Sequence, residues 1–272
     1  MTVTDFANSP PTAATSRVAP ASGPRDPRLD FFRGIAMFII LIAHTPGNWL
    51  TLWIPARFGF SDATEIFVFC SGMASAIAFG GSYARRGWAM GTARISYRIW
   101  QVYWAHIALF FATVALTVFM TELAFTTRNY WGQLNLWALF VESDKWENTH
   151  NMLSILTLTW VPNYFDILPM YIVVLMMMPL VMALKKIHVG LVFLASGGLW
   201  LATQIWSLGL PAEPWSDREW FFNPFGWQLI FYTGFAFMAD WLPAPKVRLW
   251  LIALAAFVVI ATIPFAYFRV IR

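Results

Sequence analysis

Three residues near the start of one apolar run could together handle a proton and a negative charge: Asp30, Arg33 and His44. They lie in RDPRLDFFRGIAMFIILIAHTPGNWL, residues 25–50. A helix advances about 1.5 Å and turns about 100° per residue, so the step from Arg33 to His44 covers roughly 16 Å and returns to almost the same face. Asp30 falls one turn before Arg33, near that face. The stripe carries an imidazole about halfway across a hydrocarbon core of roughly 30 Å. An ionisable group there is costly and marks a site; the competing reading is a polar residue bonded to a neighbouring helix. A neutral imidazole titrates near working pH and suits a general base.

Other residues could complete such a site. Glu65 and Asp166 stand at the starts of two later apolar runs, where either carboxylate could hold the tautomer of His44. Arg94, Arg98 and Gln101 share a face by their i, i+4, i+7 spacing, and arginine suits phosphate. His106 lies inside the same run, as a site residue or a helix–helix hydrogen bond. Trp137, Trp146, Trp215, Trp220 and Trp227 gather near one boundary, either as an interfacial belt or as faces on which sugars stack.

The elements that must position these residues are membrane helices. Hydrophobic residues make up 59% and charged ones 12% of the 272, with a mean hydropathy of +0.59, which excludes a soluble domain. Apolar runs recur at about 29–53, 62–81, 95–119, 164–184, 189–210, 225–242 and 247–268. They are continuous rather than alternating, so the chain reads as an all-α, polytopic integral membrane bundle of about seven transmembrane helices, not a β-barrel. Pro46 removes the hydrogen bond to Ile42 and bends or ends the first helix beside His44. Residues 1–24, rich in Ala, Thr, Ser and Pro, read as a disordered cytoplasmic tail, with the membrane domain over 25–272. The single cysteine, Cys70, excludes an internal disulfide and a thiolate metal cluster, and no metal site is expected.

Loop charge orients the bundle. With the N-terminus inside, all eighteen Lys and Arg fall on the cytoplasmic side except Arg57, Arg128, Lys145, Arg218, Arg269 and Arg272. The net charge of +4 is explained by that bias, so no nucleic acid is expected. The connections at about 120–151 and 211–222 then face outward, with Glu122, Glu142, Asp144, Glu147, Glu213, Asp217 and Glu219 among their tryptophans.

These motifs resemble a known group. Arg33, ten residues and His44, then EIFVFCSGM at 65–73 and RISYRIWQVYWAH at 94–106, resemble the membrane acyltransferase family 3. RLDFFRG at 28–34, DILPMY at 166–171 and NPFGWQLIFYTG at 223–234 are similar to its OpgC branch, whose members succinylate osmoregulated periplasmic glucans. That family resembles a bundle of about ten spans, so seven would make this a short member or one that stops before its last helices. The resemblance implies a multi-pass protein of the bacterial inner membrane, N-terminus cytoplasmic. It would pass an acyl group, from succinyl-CoA by analogy, to periplasmic glucan, with no bound cofactor. It also implies a catalytic set of His44, Arg33, Asp30 and Glu65, and a substrate-binding set of Arg94, Arg98, His106 and Asp166. Acetyl transfer to another envelope polysaccharide and proton-coupled transport are the alternatives. Oligomeric state is left open.

Overall fold

Small residues in the second and sixth apolar runs decide where the bundle is tightest. A methyl group at Gly72 would collide with the Phe231 carbonyl, and one at Gly234 with the Phe69 carbonyl. The two glycines let backbones meet face to face, the way membrane helices gain dispersion energy without a hydrophobic drive. They join α2 (Ala63–Ser75) to α8 (Pro224–Met238), the most extensive helix pair of the protein.

The computed structural model describes residues 27–123, 130–139 and 145–266. The expected tail at 1–24 and the acids Glu142 and Asp144 lie outside the described residues. In chain order the other helices are α1 (Pro27–Ala43), α3 (Gly81–Glu122), α4 (Tyr130–Gln133), α5 (Lys145–Leu156), α6 (Ile167–Ile187), α7 (Val189–Trp206) and α9 (Leu249–Ala266). A π-helical turn, Ala76–Gly80, links α2 to α3. The fold is all-helical, and among the described residues the only β pairing is an isolated bridge between Pro211 and Glu219.

Fewer helices than expected are long and apolar enough to cross a membrane unaided. Among the described residues there are three such stretches, not seven: Ala63–Thr121, Ile167–Ile187 and Val189–Trp206. The first holds two of the expected runs, joined by continuous helical turns except at Gly87, whose φ of 81° breaks the helix. The others fall short because α1 stops after 17 residues and α8 after 15, and the apolar stretch of α9, Leu249–Phe265, is shorter than a span.

Local chemistry explains these ends. Gly47 at φ 78° follows Pro46, and the carbonyls they strand find side-chain donors. Thr45 Oγ1 donates to Leu41 O at 2.8 Å and Asn48 Nδ2 to Ile42 O at 3.3 Å. So α1 ends at Ala43, and His44 stands at the tip of a helix rather than midway along a longer one. Helix α2 begins with a capping box, in which Glu65 accepts from the Asp62 N–H at 2.7 Å. Helix α8 begins at Asn223-Pro224, an Asn cap ahead of a proline in the first turn.

Two apolar clusters hold the rest. One joins α2, α6 and α8 through Val68, Val174, Met178, Phe231 and Phe235. The other packs the far half of α3 against the connections, through Phe110, Leu136, Ile155, Trp160, Phe165 and Trp220.

Candidate functional site

Helices α3 and α6 run antiparallel. Trp88 Nε1 donates to Pro179 O at 2.9 Å near one end, and the rings of His106 and Phe165 meet near the other. Helix α1 packs on α2, and its tip comes to the same end as Phe165, because His44 and Tyr164 stack edge to face at 5.7 Å. These four helices border a cavity of about 930 Å³, lined by α1, α2, α3 and the first turns of α6, with Phe231 of α8 behind.

The polar residues of this cavity are few. Arg33 and His44 come from α1 and its tip, Ser71 and Ser75 from α2, Arg94, Tyr97, Arg98 and Gln101 from α3, and Tyr171 from α6. Among the described residues three guanidinium groups line it and no carboxylate does. Arg94 donates to Ser82 Oγ at 3.1 Å and Arg98 to Gln101 Oε1 at 3.3 Å, both neutral acceptors. Arg33 lies over the Phe67 ring at 5.9 Å, and its buried Nε has no hydrogen-bond partner. The hydroxyls of Ser75 and Tyr171 are 3.3 Å apart.

His44 is oriented by its own helix. Its Nδ1 lies 2.8 Å from the Ile40 carbonyl, which can only accept, so this bond requires the proton on Nδ1. In the neutral ring Nε2 is then the nitrogen with a free lone pair. A backbone carbonyl here occupies the place that the sequence reading offered to Glu65 or Asp166.

The structure therefore brings together Arg33, His44, Arg94 and Arg98 of the eight expected residues, and the remaining four do not line the cavity. Glu65 caps α2. Asp166 is buried and accepts from the Phe222 N–H at 2.9 Å, tying the start of α6 to the segment before α8. His106 is 1% exposed, packed among Ile107, Phe110 and Phe165, with Nδ1 unpartnered. Asp30 lies on α1, ahead of the cavity lining. His188 accepts from the Gly190 N–H as the cap of α7.

Sequence reasoning missed Tyr164 and Tyr171. Tyr164 holds a left-handed backbone at φ 71°, uncommon for a bulky residue. The adjacent Pro162-Asn163 is a turn signal, but nothing local shows that the Tyr164 ring would reach His44.

The connections that flank α4 and precede α8 carry a different kind of site. Glu213 is 6% exposed. It accepts from Asn135 and Ser216, each at 2.5 Å, and pairs with Arg218 at 3.0 Å. Burial raises its carboxyl, but the bonds from Ser216 and Arg218, the Arg218 charge and the Asn135 amide outweigh that and hold it below the usual carboxylate range. Of the tryptophans read as sugar faces, Trp220 is buried and Trp215 packs edge to face on Trp137 and Trp160.

A family model described as OpgC protein matches residues 25–272. No curated protein and no solved structure matches the chain.

Proposed function

The chain belongs to the OpgC family, a glucan-modifying acyltransferase at family level, and from that premise we propose that it moves a succinyl group from a cytoplasmic acyl-CoA to hydroxyls of periplasmic glucan. One observation carries the reading: a largely apolar cavity with three arginines, no carboxylate and a histidine whose Nε2 is the free nitrogen. Such a cavity favours an anionic occupant, because guanidinium groups brought into apolar surroundings need an opposite charge. A CoA thioester supplies several.

The reaction needs a proton acceptor and a path for the leaving group. Nε2 of His44 takes the proton of the sugar hydroxyl as its oxygen attacks the thioester carbonyl carbon. When the tetrahedral intermediate collapses, the carbon–sulfur bond breaks and the imidazolium returns the proton to the departing thiolate. The products are a sugar ester and free CoA. Arg33 stands roughly 16 Å back along α1, too far to serve the same carbonyl as His44. It fits the charged remainder of the donor with Arg94 and Arg98, as arginine suits phosphate oxygens.

The topology belongs to the proposal. Seven crossings, with α1, α8 and α9 each spanning and Ala63–Thr121 crossing twice about the Gly87 break, would put the basic connection after α2 in the cytoplasm and Glu213 in the periplasm of a bacterial inner membrane. A cysteine at exposed Ala84, in a Cys70→Ser background, should react with an impermeant thiol reagent only after lysis.

The function is tested by mass analysis of periplasmic glucans from cells with and without the chain. Loss of succinyl substituents is the expected result. Unchanged succinylation, with acetyl groups lost from another polysaccharide or with no substituent lost, would overturn it.

A further inference from the structure

A second cavity, of about 530 Å³, lies on the other side of the π turn, between the ends of α6 and α8. The way α8 stops builds one wall. Asp240 adopts φ 55°, a left-handed position usually left to glycine or asparagine, and the chain folds back so that Trp241 N–H donates to Ala236 O at 2.9 Å. That return sets the Trp241 ring 5.1 Å from Phe235, which is buried. Helix α6 ends in Lys185 and Lys186, and both line the cavity. Lys185 Nζ stands 6.0 Å above the Trp241 ring. Met182, Phe235 and Met238 supply apolar lining.

The charge here is one-sided. Among the described residues neither lysine forms a salt bridge, and Asp240, the one acid of the lining, pairs with neither. A loop bias toward basic residues accounts for lysines at a helix end. It does not account for two of them on a cavity whose other walls, Asp240 apart, are mostly aromatic rings and methionines. An ammonium pair above an apolar floor is complementary to a phosphate that carries hydrocarbon. Basic pockets between membrane helices at the cytoplasmic face hold such headgroups.

We propose that this cavity binds the phosphate headgroup of an anionic phospholipid, with Lys185 and Lys186 on the phosphate and the first methylenes against Met182, Phe235 and Met238. Inorganic phosphate shares the charge but leaves the apolar floor empty, so the lipid is the occupant favoured. The site is separate from the acyl-transfer cavity, and its test does not depend on transfer.

The test is lipid retention by the purified full-length chain, read by native mass spectrometry after mixing with phosphatidylglycerol or phosphatidylcholine. Phosphatidylglycerol should be retained in preference. Lys185→Gln with Lys186→Gln should weaken its retention on the order of tenfold. Lys246→Gln with Arg248→Gln, which removes equal charge from the connection before α9, should leave it unchanged. Asp240→Asn keeps a residue tolerant of the left-handed turn and removes the acid, so retention should rise. That arm decides the matter if the lysine variant fails to fold. Equal retention of both lipids, equal loss in the Lys246/Arg248 variant, or no gain in Asp240→Asn would overturn the proposal. Displacement of the lipid by millimolar inorganic phosphate would reassign the cavity to a soluble anion.

Discussion

The cavity beside α1 and the cluster around Glu213 both bring arginine and aromatic rings into apolar surroundings, and they treat charge in opposite ways. Around Glu213 the opposite charges meet inside the protein: one carboxylate receives an amide, a hydroxyl and a guanidinium, and Arg218 also donates to the Val161 carbonyl at 2.7 Å, although its buried Nε has no partner. In the cavity three guanidinium groups share a lining that, among the described residues, holds no acid. A closed network stabilises the fold and has little left with which to bind. An open one is held in place by the fold and is completed by a ligand. The difference separates residues that make the structure from residues that use it.

That contrast can be broken at several points. The largest effect should come from His44→Ala, which removes the proposed proton acceptor and should cut acyl transfer by about 10²–10⁴-fold. Stability should change by no more than about 1 kcal/mol, because an exposed hydrogen bond at a helix tip and an edge contact with the exposed Tyr164 ring are lost. Transfer assays and thermal melts on one preparation separate the two. Next, Arg94→Ala with Arg98→Ala should raise the KM for the CoA thioester by about 10–100-fold, the range for hydrogen bonds to charged groups, while the KM for glucan holds. A change confined to the glucan KM would reverse the assigned polarity of the cavity.

The closed cluster should respond in the other sense. Glu213→Ala should lower stability by about 1–3 kcal/mol. This is less than for a fully buried pair, because the Arg218 side chain is 31% exposed. Per folded molecule, transfer should be unchanged. The carboxyl is held below its usual value of 4.5, so its contribution is complete above that pH and is lost as pH falls through the lower, folded value. Melting temperature should therefore drop in acid below about 4.5, and Glu213→Gln should flatten that drop. The smallest effect is expected from Tyr164→Gly. It removes a left-handed strain of about 1 kcal/mol and also the ring against His44, so stability should hold or rise while transfer falls several-fold. Equal transfer would mean that the ring contact does not position the imidazole.

How far the sequence reached follows from the same contrast. Arg33, His44, Arg94 and Arg98 were legible because helical periodicity alone sets them on common faces, and a charge in an apolar run has few innocent explanations. The end of α1 was partly legible through Pro46. Glu65 and Asp166 misled for a physical reason: an acid at a helix start serves equally as a site residue or as a cap, and the choice depends on backbone donors that spacing does not reveal. His106 sits at helical depth like a site residue, yet the rotation of α3 turns it into the cluster with Phe110 and Phe165. The count of long apolar helices came out lower because hydropathy cannot see where a backbone turns, as at Gly47, or where two apolar runs continue as one helical stretch, as in Ala63–Thr121. Tyr164 needed a left-handed backbone and a neighbour more than a hundred residues away, and neither leaves a local trace.

The central claim is that the open cavity, and not the closed cluster, receives the acyl donor. Cysteine protection tests it most directly. In a Cys70→Ser background, one variant carries Ala78→Cys on the cavity lining and another carries Ala89→Cys on exposed α3 surface outside it. Alkylation by a small maleimide is timed with and without saturating succinyl-CoA. The account expects the donor to slow reaction at position 78 by about tenfold or more, consistent with burial under a bound ligand, and to leave position 89 unaffected. Equal rates at position 78 with and without donor would contradict it.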